Sequence, residues 1–211
     1  MGLPQRVPRL TPAEYLARER AATYRSEYFD GEMFAMASGS PRHSLVKVNV
    51  TGELRARLKG SPCTAYDSDL RILVSRTGLY TYPDASVICG PLEFEDEHRD
   101  TVVNPTLLVE VLSESTEAYD RGKKFGHYRQ IPALREYLLV SQEEPKIERF
   151  LRNQDGTWTL TEAAGLDATL PLPSLNVELS LREIYDKVDF SAPEAPDGQA
   201  AQAPHESASG R

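Results

Sequence analysis

The sequence predicts a mixed α/β fold, an α+β arrangement in which one central sheet holds parallel and antiparallel strands and helices flank it. Three observations lead there. An apolar strand at 106–112, a helix over 116–130 and a second apolar strand at 135–141 form a strand-helix-strand unit, whose two strands must lie parallel. Asp30-Gly31 between two aromatic-rich runs, and the turn at 153–156 between two alternating runs, call for hairpins and so for antiparallel strands. The other helical patterns stand between strands instead of in a block, which puts helices against a sheet.

Each element has its own local signal. Thr11-Pro12-Ala13-Glu14 supplies an N-cap, a proline at the first helical position and a carboxylate in the first turn, ahead of a helix to about residue 20. Residues 24–37 read as a hairpin about Asp30-Gly31, because a type I′ turn needs φ > 0 at both central residues. Between 40 and 59, Val46, Val50, Leu54 and Leu58 recur every four residues, with Arg55, Arg57 and Lys59 in the last turns and Gly60 beyond: an amphipathic helix. Residues 65–74 and 79–89 read as two strands about a loop at 75–78, and residues 93–100 as a charged loop. The strand at 106–112 is apolar almost throughout, as at the buried centre of a sheet. Ile131-Pro132 stops the helix over 116–130. Residues 146–151 and 157–163 alternate as a late hairpin, and a short helix over 181–188 closes a single domain spanning 1–190. Residues 191–211, rich in Ala, Pro, Ser, Gly and Gln, cannot offset their ordering entropy and are expected to form a disordered tail.

Composition narrows the function classes. At 40% apolar and 27% charged residues the chain is globular, which excludes collagen-like, coiled-coil and wholly disordered proteins. The formal charge of −8, two units of it in the tail, excludes a protein that coats nucleic acid through a uniform basic surface and leaves only local basic stretches for such contact. No apolar run approaches the roughly 18 residues of a membrane span, and the first residues carry no apolar h-region, so a soluble cytoplasmic protein is expected. Cys63 and Cys89 are too few for a disulfide framework and lie in no zinc spacing, so reduced, partly buried thiols are expected. With no phosphate-binding Gly-rich loop and no Gly-x-Ser-x-Gly elbow, nucleotide-driven and serine- or thiol-nucleophile enzymes lose ground.

Glu110 is the most informative residue. A carboxylate inside an otherwise apolar strand costs several kcal/mol to desolvate unless a charge pairs with it. One explanation is an ion pair with a cation of the adjacent helix; the other is a metal ligand or general base. Asp84, directly after Pro83 and ahead of an apolar run, is either a turn residue bonding nearby amides or a second carboxylate for the same ion. Two acids on neighbouring strands suit a hard divalent cation with waters completing its shell. On the helix after Glu110, Asp120, Lys124 and Tyr128 lie at i, i+4 positions on one face, so that only one of Lys123 and Lys124 faces the strand end. The same spacing also describes an ordinary solvent-facing pair.

Four strings, Tyr82-Pro-Asp-Ala-Ser-Val87, Asn104-Pro-Thr-Leu-Leu-Val-Glu-Val-Leu-Ser113, Tyr119-Asp-Arg-Gly-Lys-Lys-Phe-Gly-His-Tyr128 and Glu136-Tyr-Leu-Leu-Val140, resemble in content and order the Uma2 family of bacterial proteins grouped as endonucleases. The resemblance runs from about residue 10 to 185. It implies a restriction-endonuclease-like core of the PD-(D/E)xK class and phosphodiester hydrolysis that depends on Mg²⁺ or Mn²⁺. By the same resemblance Asp84 and Glu110 match the two acids of the motif and would bind the metal. Leu112 stands where the motif has its Lys, and Lys124 matches a Lys moved to the following helix. Glu27 resembles an accessory acid, or pairs with Arg25 or a facing Lys; His43 lies where a phosphate could meet a helix N-terminus, or is a surface histidine.

The leading expectation is therefore a metal-dependent endonuclease, with Asp84 and Glu110 on the metal and Lys124 positioning the attacking water and stabilising the transition state. Its partner would be nucleic acid, DNA first, met by Arg121, Lys123 and Arg129 or by Arg55, Arg57 and Lys59, with no membrane and with a homodimer suited to cutting both strands of a duplex. A nuclease-fold module that binds a partner without catalysis, and a hydrolase of small phosphate esters, are the competing readings.

Overall fold

Local chemistry sets the elements of the computed structural model, which describes residues 9–36 and 39–191. The expected tail, Ser191 apart, and the last hairpin position, Ala37, lie outside the described residues. Helix α1 (Pro12–Ala21) starts at a reciprocal cap, in which Thr11 Oγ1 accepts from the Glu14 N–H and the Glu14 carboxylate accepts from the Thr11 N–H at 2.7 Å. Strands β1 (Ser26–Phe29) and β2 (Glu32–Ala35) form the hairpin, turning at Asp30 and Gly31 with φ of 48° and 86°. Helix α2 (Pro41–Arg57) is capped by Ser40 and buries Val46, Val50 and Leu54.

Both long strands expected between 65 and 89 are broken. The first becomes β3 (Cys63–Asp67) and β4 (Arg71–Val74), separated by a turn in which the Asp67 carboxylate accepts from the Asp69 N–H. The second becomes β5 (Leu79–Thr81) and β6 (Ala85–Cys89), interrupted at Pro83, which has no N–H for a ladder. The remaining strands are β7 (Thr101–Val102), β8 (Leu107–Leu112), β9 (Glu136–Ser141), β10 (Lys146–Arg152), β11 (Trp158–Ala164), β12 (Thr169–Leu172) and β13 (Val177–Ser180). The breaks let the chain change sheets, so the single sheet expected is two: β2-β1-β5-β4-β7 and β11-β10-β9-β8-β6-β3, with β12 and β13 as a small separate pair. β7 is too short to show a pattern, and β12 carries Pro171, which hides its strand character.

The strand-helix-strand unit is as the sequence predicts. β8 pairs in parallel with β9 and antiparallel with β6. Leu107, Val109 and Val111 pack in one core with Val46, Val50 and Leu54 of α2, whereas Leu108 and Leu112 pack in a second with Tyr128 and Tyr137. Burial of both faces is why residues 107–112 read as an apolar run, and why Glu110 stands out in it. Between β8 and β9, α3 (Glu117–Tyr119), a π-helical turn (Asp120–Lys124) and α4 (Phe125–Tyr128) follow without a break, in place of a uniform helix. The closing helix α5 (Leu181–Ile184) is shorter than expected.

Cys63 and Cys89 are joined as a disulfide, against the expectation of reduced thiols. They are 26 residues apart in sequence and become direct neighbours only through the β3–β6 register.

Candidate active site

Pro83 ends the local ladder and leaves Asp84 at the mouth of β6. Ala85 pairs with Val109, so Asp84 and Glu110, one step further along each strand, stand across from one another. Asp84 Oδ2 accepts from the Val111 N–H at 2.8 Å. Its Oδ1 meets His43 Nε2 at 3.3 Å and Lys47 Nζ at 3.7 Å. Those two residues are four apart on α2 and share a face, and the Ser40 side chain, accepting from the His43 N–H at 3.1 Å, fixes where that face begins. Burial would raise the Asp84 carboxyl; His43, the Val111 N–H and Lys47 together outweigh it and hold the group below its ordinary value.

Glu110 is buried and accepts from the Tyr128 hydroxyl at 2.6 Å, with Lys124 Nζ at 3.0 Å. Burial pushes its carboxyl well above the usual range; Lys124 and Tyr128 draw it back, while Asp120 and Asp84 add to the rise. Lys124 Nζ also lies 3.2 Å from Glu27 and 3.5 Å from Asp120. Burial works to neutralise this ammonium, but the surrounding acids, Glu110 and Glu27 foremost, carry its pKa well above the ordinary value and keep it charged. Glu27 arrives from β1 of the other sheet and accepts from the Thr81 hydroxyl.

The helix face drawn from sequence holds. Asp120, Lys124 and Tyr128 are buried, and Lys123 is exposed. The π-helical turn carries both Asp120 and Lys124; such turns recur where a helix serves a site. Leu112 lies in the apolar core with Tyr128 and Tyr137, and it is Lys124 that brings an ammonium to Glu110. The ion pair entertained for Glu110 is thus real, and so is its neighbourhood with Asp84. Among the basic residues, Arg121 is engaged by Glu117 at 2.6 Å and by Glu148, and Arg57 by Glu53 at 2.8 Å; Lys123 and Arg129 are exposed. Sequence reasoning missed Lys47. Its one signal was the four-residue step from His43, beside the buried stripe that starts at Val46.

Four carboxylates, Glu27, Asp84, Glu110 and Asp120, therefore gather about two ammonium groups, Lys124 and Lys47. Asp120 Oδ1 makes no hydrogen bond among the described residues and has Lys124 Nζ 3.5 Å away, and burial raises the Asp120 carboxyl above its ordinary value. That donor set fits a hard divalent cation. Among the described residues no three His, Cys, Asp or Glu side chains converge closely enough to hold an ion by themselves.

A family model described as "Uma2: Putative restriction endonuclease" matches residues 12–183. The uncharacterized protein slr1290 of Synechocystis sp. is 39% identical over 183 residues, covering 87% of this chain and 95% of its own. A second uncharacterized Synechocystis protein, sll1609, is 36% identical over 168 residues, covering 80% and 95%. The crystal structure of a "putative nuclease belonging to DUF820" from Anabaena variabilis superposes with a TM-score of 0.67 at 20% identity, over 83% of this chain and 97% of that one. At that identity the likeness is one of fold. No helix among the described residues is long and apolar enough to cross a membrane.

Proposed function

The chain belongs to the Uma2 family, whose description is "Putative restriction endonuclease", and from that premise we propose that it is a divalent-metal-dependent endonuclease that hydrolyses phosphodiester bonds in DNA. The observation that carries the reading is the position of Asp84, one residue before the Ala85–Val109 pair and so opposite Glu110, with Lys124 Nζ 3.0 Å from Glu110 although the motif position itself is Leu112.

Mg²⁺ or Mn²⁺ held by Asp84 and Glu110 would polarise the phosphate and lower the pKa of a bound water. The chain's own groups do the rest. Val111 N–H fixes one oxygen of Asp84, and Tyr128 fixes Glu110. Lys124 orients the attacking water and offsets charge that develops on the phosphate oxygens. Glu27 and Asp120 hold Lys124 in place, which is how a lysine on a following helix replaces one on the strand. Lys123 and Arg129, exposed on that helix, meet the nucleic-acid backbone. We further propose a cytoplasmic location and a homodimer that cuts both strands of a duplex.

The test is cleavage of supercoiled plasmid and of single-stranded DNA with Mg²⁺ or Mn²⁺, with wild type beside Asp84→Asn and Glu110→Gln. Metal-dependent nicking by the wild type, lost in both variants, is expected. Folded proteins that cleave neither DNA nor RNA would favour a nuclease-fold binding module instead.

A further inference from the structure

The two lysines of the site stand in unequal situations. Lys124 is 8% exposed and shares one charge among Glu110, Glu27 and Asp120. Lys47 is 29% exposed, and the one carboxylate it meets among the described residues is Asp84, at 3.7 Å, beyond hydrogen-bond range. His43 reaches the same oxygen from one turn earlier, at 3.3 Å. Its ring is seated: a Cβ on residue 39 would come within 2.7 Å of His43 Cδ2, so Gly39 leaves the space the ring needs. Yet the ring's other nitrogen, Nδ1, is buried without a hydrogen-bond partner among the described residues.

Both groups depend on a single oxygen. Asp84 Oδ2 is committed to the Val111 N–H, so Oδ1 is the atom left for any other partner. Once Oδ1 is engaged elsewhere, the Lys47 ammonium and the His43 ring Nε2–H need a new acceptor, and they stand four residues apart on one face of a 17-residue helix.

We propose that His43 and Lys47 are the residues that contact a non-bridging oxygen of the substrate phosphate. The inference rests on the nuclease reading and deepens it, because it names a phosphate contact on α2 besides the charge that Lys124 supplies. It also gives Lys47, which no motif marks, a role in binding substrate.

The experiment measures fluorescence anisotropy of labelled single- and double-stranded DNA oligonucleotides, with Ca²⁺ in place of Mg²⁺, across a KCl series. Wild type is compared with Lys47→Met, Lys47→Arg and His43→Ala, and Mn²⁺ binding by the same proteins without DNA is followed by electron paramagnetic resonance. Lys47→Met should bind DNA about tenfold more weakly, and its log–log salt slope should be smaller by about one. Lys47→Arg should restore both, and His43→Ala should weaken binding in the same direction. Mn²⁺ affinity of Lys47→Met should be unchanged or tighter, since a positive charge beside Asp84 is gone. Equal DNA affinity and slope in wild type and Lys47→Met would overturn the inference. So would lost Mn²⁺ binding in Lys47→Met, because the residue would then act by holding Asp84. A wild type that neither binds nor cleaves DNA is a separate failure: it overturns the nuclease reading, and this inference with it.

Discussion

Replacing Lys124 by Met should destabilise the protein far more than replacing Glu110 by Gln. Removing one partner of a buried ion pair costs about 3–5 kcal/mol, since the other charge is left uncompensated. Here one ammonium serves three carboxylates at 3.0, 3.2 and 3.5 Å, so the methionine strands all of them. For a fold of this size that loss is roughly 6–20 °C in Tm. Glu110→Gln removes one acid of the three, leaves Lys124 paired with Glu27 and Asp120, keeps an acceptor for Tyr128 and relieves repulsion from Asp120 and Asp84, so it should cost about 1 kcal/mol or less. The pH dependence has a definite sign. In the wild type the Lys124 pKa is raised, so its contribution is complete below the ordinary 10.5 and is lost only as pH climbs through the folded value. The Glu110 carboxyl, raised already in the wild type, loses in Lys124→Met the ammonium that draws it down; a raised acid binds its proton more tightly folded than unfolded, so stability above about pH 4.5 should fall more steeply in the variant than in the wild type. Urea unfolding followed by the single Trp158 at pH 5 and pH 8 measures both effects. A gap between wild type and Lys124→Met below about 1 kcal/mol at pH 8, or a Glu110→Gln variant as unstable as Lys124→Met, would refute the argument that Lys124 neutralises the cluster.

Other consequences are as direct. Thr11→Ala removes the side-chain half of the α1 cap and should cost about 1 kcal/mol, read from urea midpoints; no change would mean that α1 is held by the Tyr15, Tyr28 and Tyr80 cluster alone. Reducing the Cys63–Cys89 disulfide opens a loop of 26 residues and should lower stability by about 3 kcal/mol; equal midpoints with and without dithiothreitol would show that the link constrains little. The Arg20 guanidinium, bonded to Asp100 at 2.7 Å and helped by Arg71, holds that carboxyl well below the usual range. A depressed acid stabilises the fold above its unfolded pKa and loses that contribution as pH falls through the folded one, so stability should decline below about pH 4 and Asp100→Asn should flatten the decline. Superimposable acid limbs for the two proteins would contradict it.

The site was legible where burial conflicts with residue type. Glu110 announces itself because a carboxylate in the run Leu107–Leu112 requires a partner, and the i, i+4 arithmetic from Asp120 picks Lys124 over Lys123. Lys47 carries no such conflict: it is half of an ordinary helical surface pattern until Asp84 is brought beside it. Arg121 shows the opposite case, a basic residue that reads as free for nucleic acid but is engaged by Glu117 and Glu148.

What the sequence determined by itself is whatever short-range chemistry decides. Caps at Thr11 and Ser40, the positive-φ pair Asp30-Gly31 and the doubly buried strand β8 all depend on contacts within a few residues, or on the apolar content of the segment itself. Sheet membership does not. That residues 65–74 and 79–89 each divide between two sheets, that Cys63 meets Cys89, and that Glu27, Asp84, Glu110 and Lys124 converge from both sheets and a π-helical turn follow from pairings across tens of residues. An isolated strand carries no record of its partner, because the ladder hydrogen bonds are the same for any neighbour; only the packed tertiary structure chooses among them.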